Sequence, residues 1–152
     1  MQRGFAYVVL LIAVVILAIG ATAFVTYWSE SVRRQREVEL MRIGREFVQA
    51  IRSYHEASPG TVKAYPRELR DLLEDPRVVS LRRHLRRVYP DPMTGRDEWG
   101  LVPAPGGGFS GVYSLSQASP RKRAQFPDWV LVAGEPEKYS DLKFVYVPDR
   151  QR

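Results

Sequence analysis

FAYVVLLIAVVILAIGATAFV, residues 5–25, carries no charged side chain and follows a leader of four residues, Met1-Gln2-Arg3-Gly4. As a helix rising 1.5 Å per residue, about 21 residues span roughly 32 Å, the thickness of a bilayer's hydrocarbon core. In lipid every backbone amide must be satisfied inside its own segment, so the run is expected to be helical despite its many β-branched Val and Ile. Tyr27 and Trp28 close it where interfacial aromatics belong. A cleaved secretory signal has a longer basic region and an apolar stretch of only about 7–15 residues. The rest of the chain is also too small to wrap an all-round apolar helix of this length as a core. The reading is a retained membrane helix over residues 5–28, behind a leader over 1–4.

Past Ser29 the sequence turns polar without a proline, and the apolar residues Leu40, Ile43, Phe47, Ala50, Ile51 and Tyr54 recur at three- and four-residue steps. That period marks an amphipathic helix. Arginines and glutamates fill its other faces, some at pairing distance, as with Arg42 and Glu46. No breaker separates this stem, 29–57, from the apolar run. One continuous helix over about 5–56 is therefore expected, roughly 75 Å long and ended by Ser58-Pro59-Gly60. Its narrow stripe needs a cover, which the rest of the chain is placed to supply.

Without the anchor about 125 residues remain, enough for one modest domain. Residues 58–152 are read as that domain. Pro66, Leu69, Leu72 and Leu73 with a stop at Asp75-Pro76 predict a short second helix. Beyond Tyr89-Pro90-Asp91-Pro92 the period changes, and 99–102, 111–115 and 142–147 predict three short strands, the first two joined as a hairpin by 103–108. The fold class is α+β: a long N-terminal helix packed on a small antiparallel sheet of about three strands, with a short second helix.

These features together resemble a type IV pilin or, more closely, a type II secretion pseudopilin. The leader ending in Gly4 before Phe5, the membrane-length run continuing into an amphipathic stem, and the small sheet carry the likeness over the whole chain. Tyr65-Pro66-Arg67-Glu68-Leu69, Asp91-Pro92-Met93-Thr94-Gly95 with Trp99-Gly100, and Val112-Tyr113-Ser114-Leu115 resemble the pseudopilins' YP segment, DPWG-like turn and YSL strand. The resemblance implies cleavage between Gly4 and Phe5 by a prepilin peptidase and methylation of the new Phe5 terminus. Glycine suits the scissile position because no Cβ obstructs the approach of a catalytic site. It further implies assembly through the helix carrying Val9, Leu10, Val14 and Leu17. Other pseudopilins or pilins, an inner-membrane assembly platform and the lipid bilayer are the implied partners.

The departures are informative. Where family members carry a glutamate five residues after the leader glycine, this chain has Val9, which cannot neutralise a neighbour's terminal amine inside an apolar bundle. A minor, initiating or accessory subunit is the implied role. Thr26 stands near the place of a common helix-breaking proline, so a straighter helix is expected. The acidic calcium loop of major pseudopilins is replaced by Arg121-Lys122-Arg123, whose cations would repel a hard dication. No metal and no cofactor are expected.

Other chemistry finds little support. The absence of cysteine excludes disulfides and thiol catalysis. The net charge of +6 fits anionic lipid, nucleic acid or an acidic partner without choosing among them. Arg82, Arg83, Arg86 and Arg87 form the sharpest cluster and could contact a partner or phosphate groups, nucleic acid included. The plainer reading is a solvated helical face with Leu81, Leu85 and Val88 beneath it, since no aromatic residues interleave. His55 and His84 read as satisfied surface histidines, Glu74-Asp75 and Asp97-Glu98 as capping or solvated carboxylates, and Gly106-Gly107-Gly108 as a hairpin tip. No nucleophile, base and orienting group assemble, so no catalytic residue is expected.

Orientation sets two rules against each other. Five arginines follow the run within about 20 residues and only Arg3 precedes it, which favours a cytoplasmic C-terminal side. The resemblance implies a periplasmic one, and glutamates dilute the basic flank. The expectation is a single-pass inner-membrane protein with its C-terminal domain in the periplasm. The alternative is a single-pass protein whose basic domain binds a ligand or DNA without polymerising.

Overall fold

The computed structural model describes residues 3–78, 80–122 and 124–148, with the side chains of residues 3, 4, 6, 19–27 and 29 outside that description. The chain divides into two compact units, Met1–Arg36 and Glu37–Arg152. One helix, α1 (Arg3–Glu56), runs without interruption from the first into the second. Among the described residues no helix is long and apolar enough to cross a membrane. In the expected membrane helix over 5–28 the side chains of residues 6 and 19–27 lie outside that description.

In the second unit the stripe read from the sequence is the core. Leu40, Ile43, Phe47, Ala50, Ile51 and Tyr54 are all buried, as their three- and four-residue spacing requires of one helical face. Gly44 interrupts the stripe for a packing reason. A Cβ there would lie 2.6 Å from Cγ of Phe144, so the bare backbone of α1 is what lets that ring seat against the helix. Helix α1 ends where Ala57 donates to the Ser53 carbonyl and Gly60 takes φ +80, a left-handed conformation that stops helical propagation.

The short second helix, α2 (Leu69–Leu73), begins in a capping box in which Asp71 reaches back to the amide of Glu68. It buries Leu72. The sheet then forms from β1 (Gly100–Pro103), β2 (Phe109–Tyr113), β3 (Val130–Leu131) and β4 (Lys143–Val145). All pairings are antiparallel, in the order β1-β2-β4-β3. The expected count of about three strands is corrected to four. The extra strand is two residues long and follows Pro127-Asp128, too short to leave an alternation in the sequence.

The hairpin over 103–108 forms as expected and closes on the Ala104 amide, which donates to the Gly108 carbonyl at 3.0 Å. Gly108 is required there. Its φ is +77, and a Cβ would meet the Pro66 carbonyl oxygen at 2.4 Å. Phe109, Val112 and Phe144 present the sheet's apolar face to the helix stripe, with Trp99 and Leu72 closing the rim of one core cluster. The coarse α+β architecture therefore stands, built on a four-stranded antiparallel sheet.

Candidate functional site

The first unit offers an apolar helical surface. Phe5, Val9, Leu10, Val14 and Leu17 are all exposed, as is every described side chain from 7 to 18. Gly4 lies within α1, and its surroundings are outside the described residues. An apolar helical surface of this kind is unfavourable in water.

The second unit gathers charge where α1 ends. The basic cluster is not helical: residues 81–88 run as irregular chain. The amides of both His84 and Leu85 donate to the Leu72 carbonyl at the end of α2, and the Asp75 amide donates to the Arg82 carbonyl. Leu85 is buried and Val88 packs half-buried against the same core, but Leu81 is exposed, so the apolar residues do not form one helical face. Arg82, Arg83, Arg86 and Arg87 are all exposed and, among the described residues, none has an ion-pair partner. Arg87 lies over the Tyr89 ring at 5.1 Å, and Arg42 lies over the same ring at 5.3 Å. The structure thus supplies one aromatic partner that the spacing of the cluster did not reveal.

Beneath these arginines sits a network that sequence reasoning missed. The His84 side chain is buried, although the residue as a whole is half-buried, and the Asp75 side chain is fully buried, not a solvated carboxylate. Arg77 donates to Asp75 through Nε at 2.8 Å and Nη2 at 2.7 Å, to Ser58 Oγ through Nη1, and to the Tyr54 carbonyl. Its guanidinium also lies 3.5 Å from the Tyr54 ring centroid. The Arg77 side chain holds the Asp75 carboxyl well below the usual carboxylate range, against the opposing effect of burial, with smaller help from the Arg77 amide and His84.

His84 Nε2 is 3.3 Å from Asp75 Oδ2, and its Nδ1 is 2.8 Å from Ser53 Oγ. An ionised Asp75 only accepts, so Nε2 donates to it, and the Ser53 hydroxyl can donate to or accept from Nδ1. The order serine, histidine, aspartate resembles a nucleophile relay, and it borders a hollow of about 300 Å³ lined by Ser53, Glu56 and Arg82 among others. Two features set it apart from such a relay. Asp75 already neutralises Arg77 at the same oxygen. Ser53 stands near the C-terminal end of α1, where amides are engaged in helical hydrogen bonds and cannot form an oxyanion hole. The network ties the end of α1 to the 74–88 segment. No spacing pattern could signal it, since Ser53 and His84 are 31 residues apart.

The motif stretches also converge. The Pro66 carbonyl accepts from the Phe109 amide at 2.9 Å, joining the YP segment to β2. Asp91, wholly buried, accepts from the Met93 amide, from Thr94 Oγ1 and from Ser114 Oγ at 2.7 Å, so the turn and the later strand share one carboxylate. Trp99 Nε1 donates to the Tyr89 carbonyl while its ring meets Phe47 edge-on at 5.2 Å. Across the 114–142 segment, Glu37 of α1 accepts from the Arg121 amide and from the Tyr139 hydroxyl. Among the described residues no three His, Cys, Asp or Glu side chains stand close enough to hold a metal ion. His55 is half-buried between the Tyr65 and Tyr146 rings, and burial lowers its pKa, with Lys63 adding to the effect. Asp97 and Glu98 are exposed in the irregular chain that leads into β1.

Comparison of the chain with protein-family models, with curated proteins and with solved structures finds no match.

Proposed function

We propose that this chain is a non-enzymatic, pseudopilin-like structural subunit of a type II secretion or type IV pilus-like machine, held in the inner membrane and assembled through its N-terminal helix. The observation that carries the reading is the division of labour along α1. A single 54-residue helix exposes apolar side chains from Phe5 onward, yet buries a regular apolar stripe from Leu40 to Tyr54 in an α+β domain. A domain of this size does not need so long a helix for its own core, and the exposed part has no role in water. Extraction of that part from lipid into a bundle of like helices gives it one, exchanging one apolar surround for another at little hydrophobic cost.

In this reading a prepilin peptidase cuts after Gly4 and Phe5 is methylated. Val9 in place of a glutamate makes the chain a minor or initiating subunit, since it brings no carboxylate to pair with a neighbouring amine. The periplasmic domain is displayed by the helix and fastened to it by the Asp75, Arg77 and His84 network. The test is topology in cells. A reporter fused at the C-terminus is expected to be active only in its periplasm-dependent form and to fractionate with the inner membrane. Activity confined to the cytoplasmic form overturns the proposal.

A further inference from the structure

Arg45 and Gln49 stand one turn apart on the exposed side of α1. With Asp128, Trp129 and Tyr146 they line a hollow of about 380 Å³, within the size range of small-molecule sites. Both rings are half-buried and fixed from behind, Trp129 against Phe144 at 6.0 Å and Tyr146 against His55 at 5.5 Å. The hollow is therefore a shallow site with rigid aromatic walls and an open polar side.

The lining charges disfavour a ligand that carries a charge of one sign only. Arg52, also in the lining, is held by Glu56 at 2.8 Å. Arg45 and Asp128 are exposed, and among the described residues neither has an ion pair or hydrogen-bond partner through its side chain. A phosphate or carboxylate that satisfied Arg45 would meet repulsion from Asp128, and an ammonium that satisfied Asp128 would meet it from Arg45. A hydroxyl both donates and accepts, so neighbouring hydroxyls on one ring satisfy the carboxylate and the guanidinium together. The same ring must offer an apolar face to Trp129 or Tyr146.

We infer that this hollow binds a neutral saccharide, one pyranose face lying against the aromatic wall and its hydroxyls bridging Arg45, Gln49 and Asp128. The site is built from residues 45–52 of α1 and 128–147, not from the apolar run 5–25, and does not rest on the assembly reading.

The experiment titrates the full chain, in micelles of a detergent without a sugar headgroup, with cellohexaose, maltohexaose and the hexamer of N-acetylglucosamine, followed by calorimetry. Polygalacturonate and inorganic phosphate serve as anionic comparators. At least one neutral oligosaccharide is expected to saturate with a dissociation constant of about 1 mM or tighter. Arg45→Ala and Asp128→Ala, both at exposed positions, are each expected to weaken it about tenfold without moving the melting temperature. The inference is overturned if none of the three saturates up to about 20 mM, if both variants bind like the parent, or if either anion binds as tightly as the neutral sugars.

Discussion

Gly44→Ala isolates the packing of α1 on the sheet. In an exposed helix interior the change would stabilise by about 1 kcal/mol, because alanine is the better helix former. Here the new methyl would lie 2.6, 2.7 and 2.8 Å from Cγ, Cδ1 and Cδ2 of Phe144. Ordinary carbon contacts begin near about 3.5 Å, so the ring must retreat by roughly 1 Å. Phe144 has no exposed surface and is flanked by Val112 and Val130 in adjacent strands, leaving it nowhere to go. Overpacking of this kind costs about 1–3 kcal/mol, and the lack of slack places it near the top of that range. The net expectation is a loss of about 2 kcal/mol. Urea unfolding of the full chain in micelles, followed by near-ultraviolet circular dichroism, measures it. The same substitution in a Phe144→Leu background meets no ring and is expected to be neutral or to stabilise by about 0.5–1 kcal/mol. If Gly44→Ala stabilises the parent, or costs the same in both backgrounds, the proposed helix-to-sheet contact is wrong.

Asp75→Ala removes the partner of a largely buried guanidinium and is expected to cost about 3–5 kcal/mol in the same titration, more than any exposed arginine-to-alanine change in residues 82–87. The acid limb should follow the same carboxylate. Its folded pKa is depressed, so its contribution is fully present above about pH 4 and is lost as the pH falls toward the lower folded value. Asp75→Asn should therefore flatten the loss of melting temperature below about pH 4, and an unchanged acid limb would count against the network. Ser114→Ala withdraws a buried hydrogen bond from Asp91 and is expected to cost about 1–3 kcal/mol, with loosening of the 91–95 turn visible as faster amide exchange at Met93 and Gly95.

The parts of the fold that were legible in the sequence are those written by local period. The Leu40 to Tyr54 stripe, the stop after Glu56 and the glycine hairpin each depend on residues a few positions apart. What was not legible depends on distant partners. Residues 81, 85 and 88 have helical spacing, but the Leu72 carbonyl captures the amides of His84 and Leu85, and that capture is decided by where α2 ends. Strand β3 exists because β4 offers it an edge, not because two residues have a pattern. The candidate site divides in the same way. Exposure of the four arginines followed from their composition, whereas burial of His84 and Asp75 follows from Arg77 folding over Tyr54, which no spacing announces. The motif residues Asp91 and Ser114 were singled out by resemblance, and their shared hydrogen bond gives them a physical purpose in this chain.

In the proposed function α1 is an assembly helix released by processing at Gly4. The mass of the N-terminal peptide from the native protein, isolated from cells expressing a prepilin peptidase, tests it most directly. The expected chain starts at Phe5 and carries one added methyl group. A native protein that retains Met1 through Gly4 would contradict it.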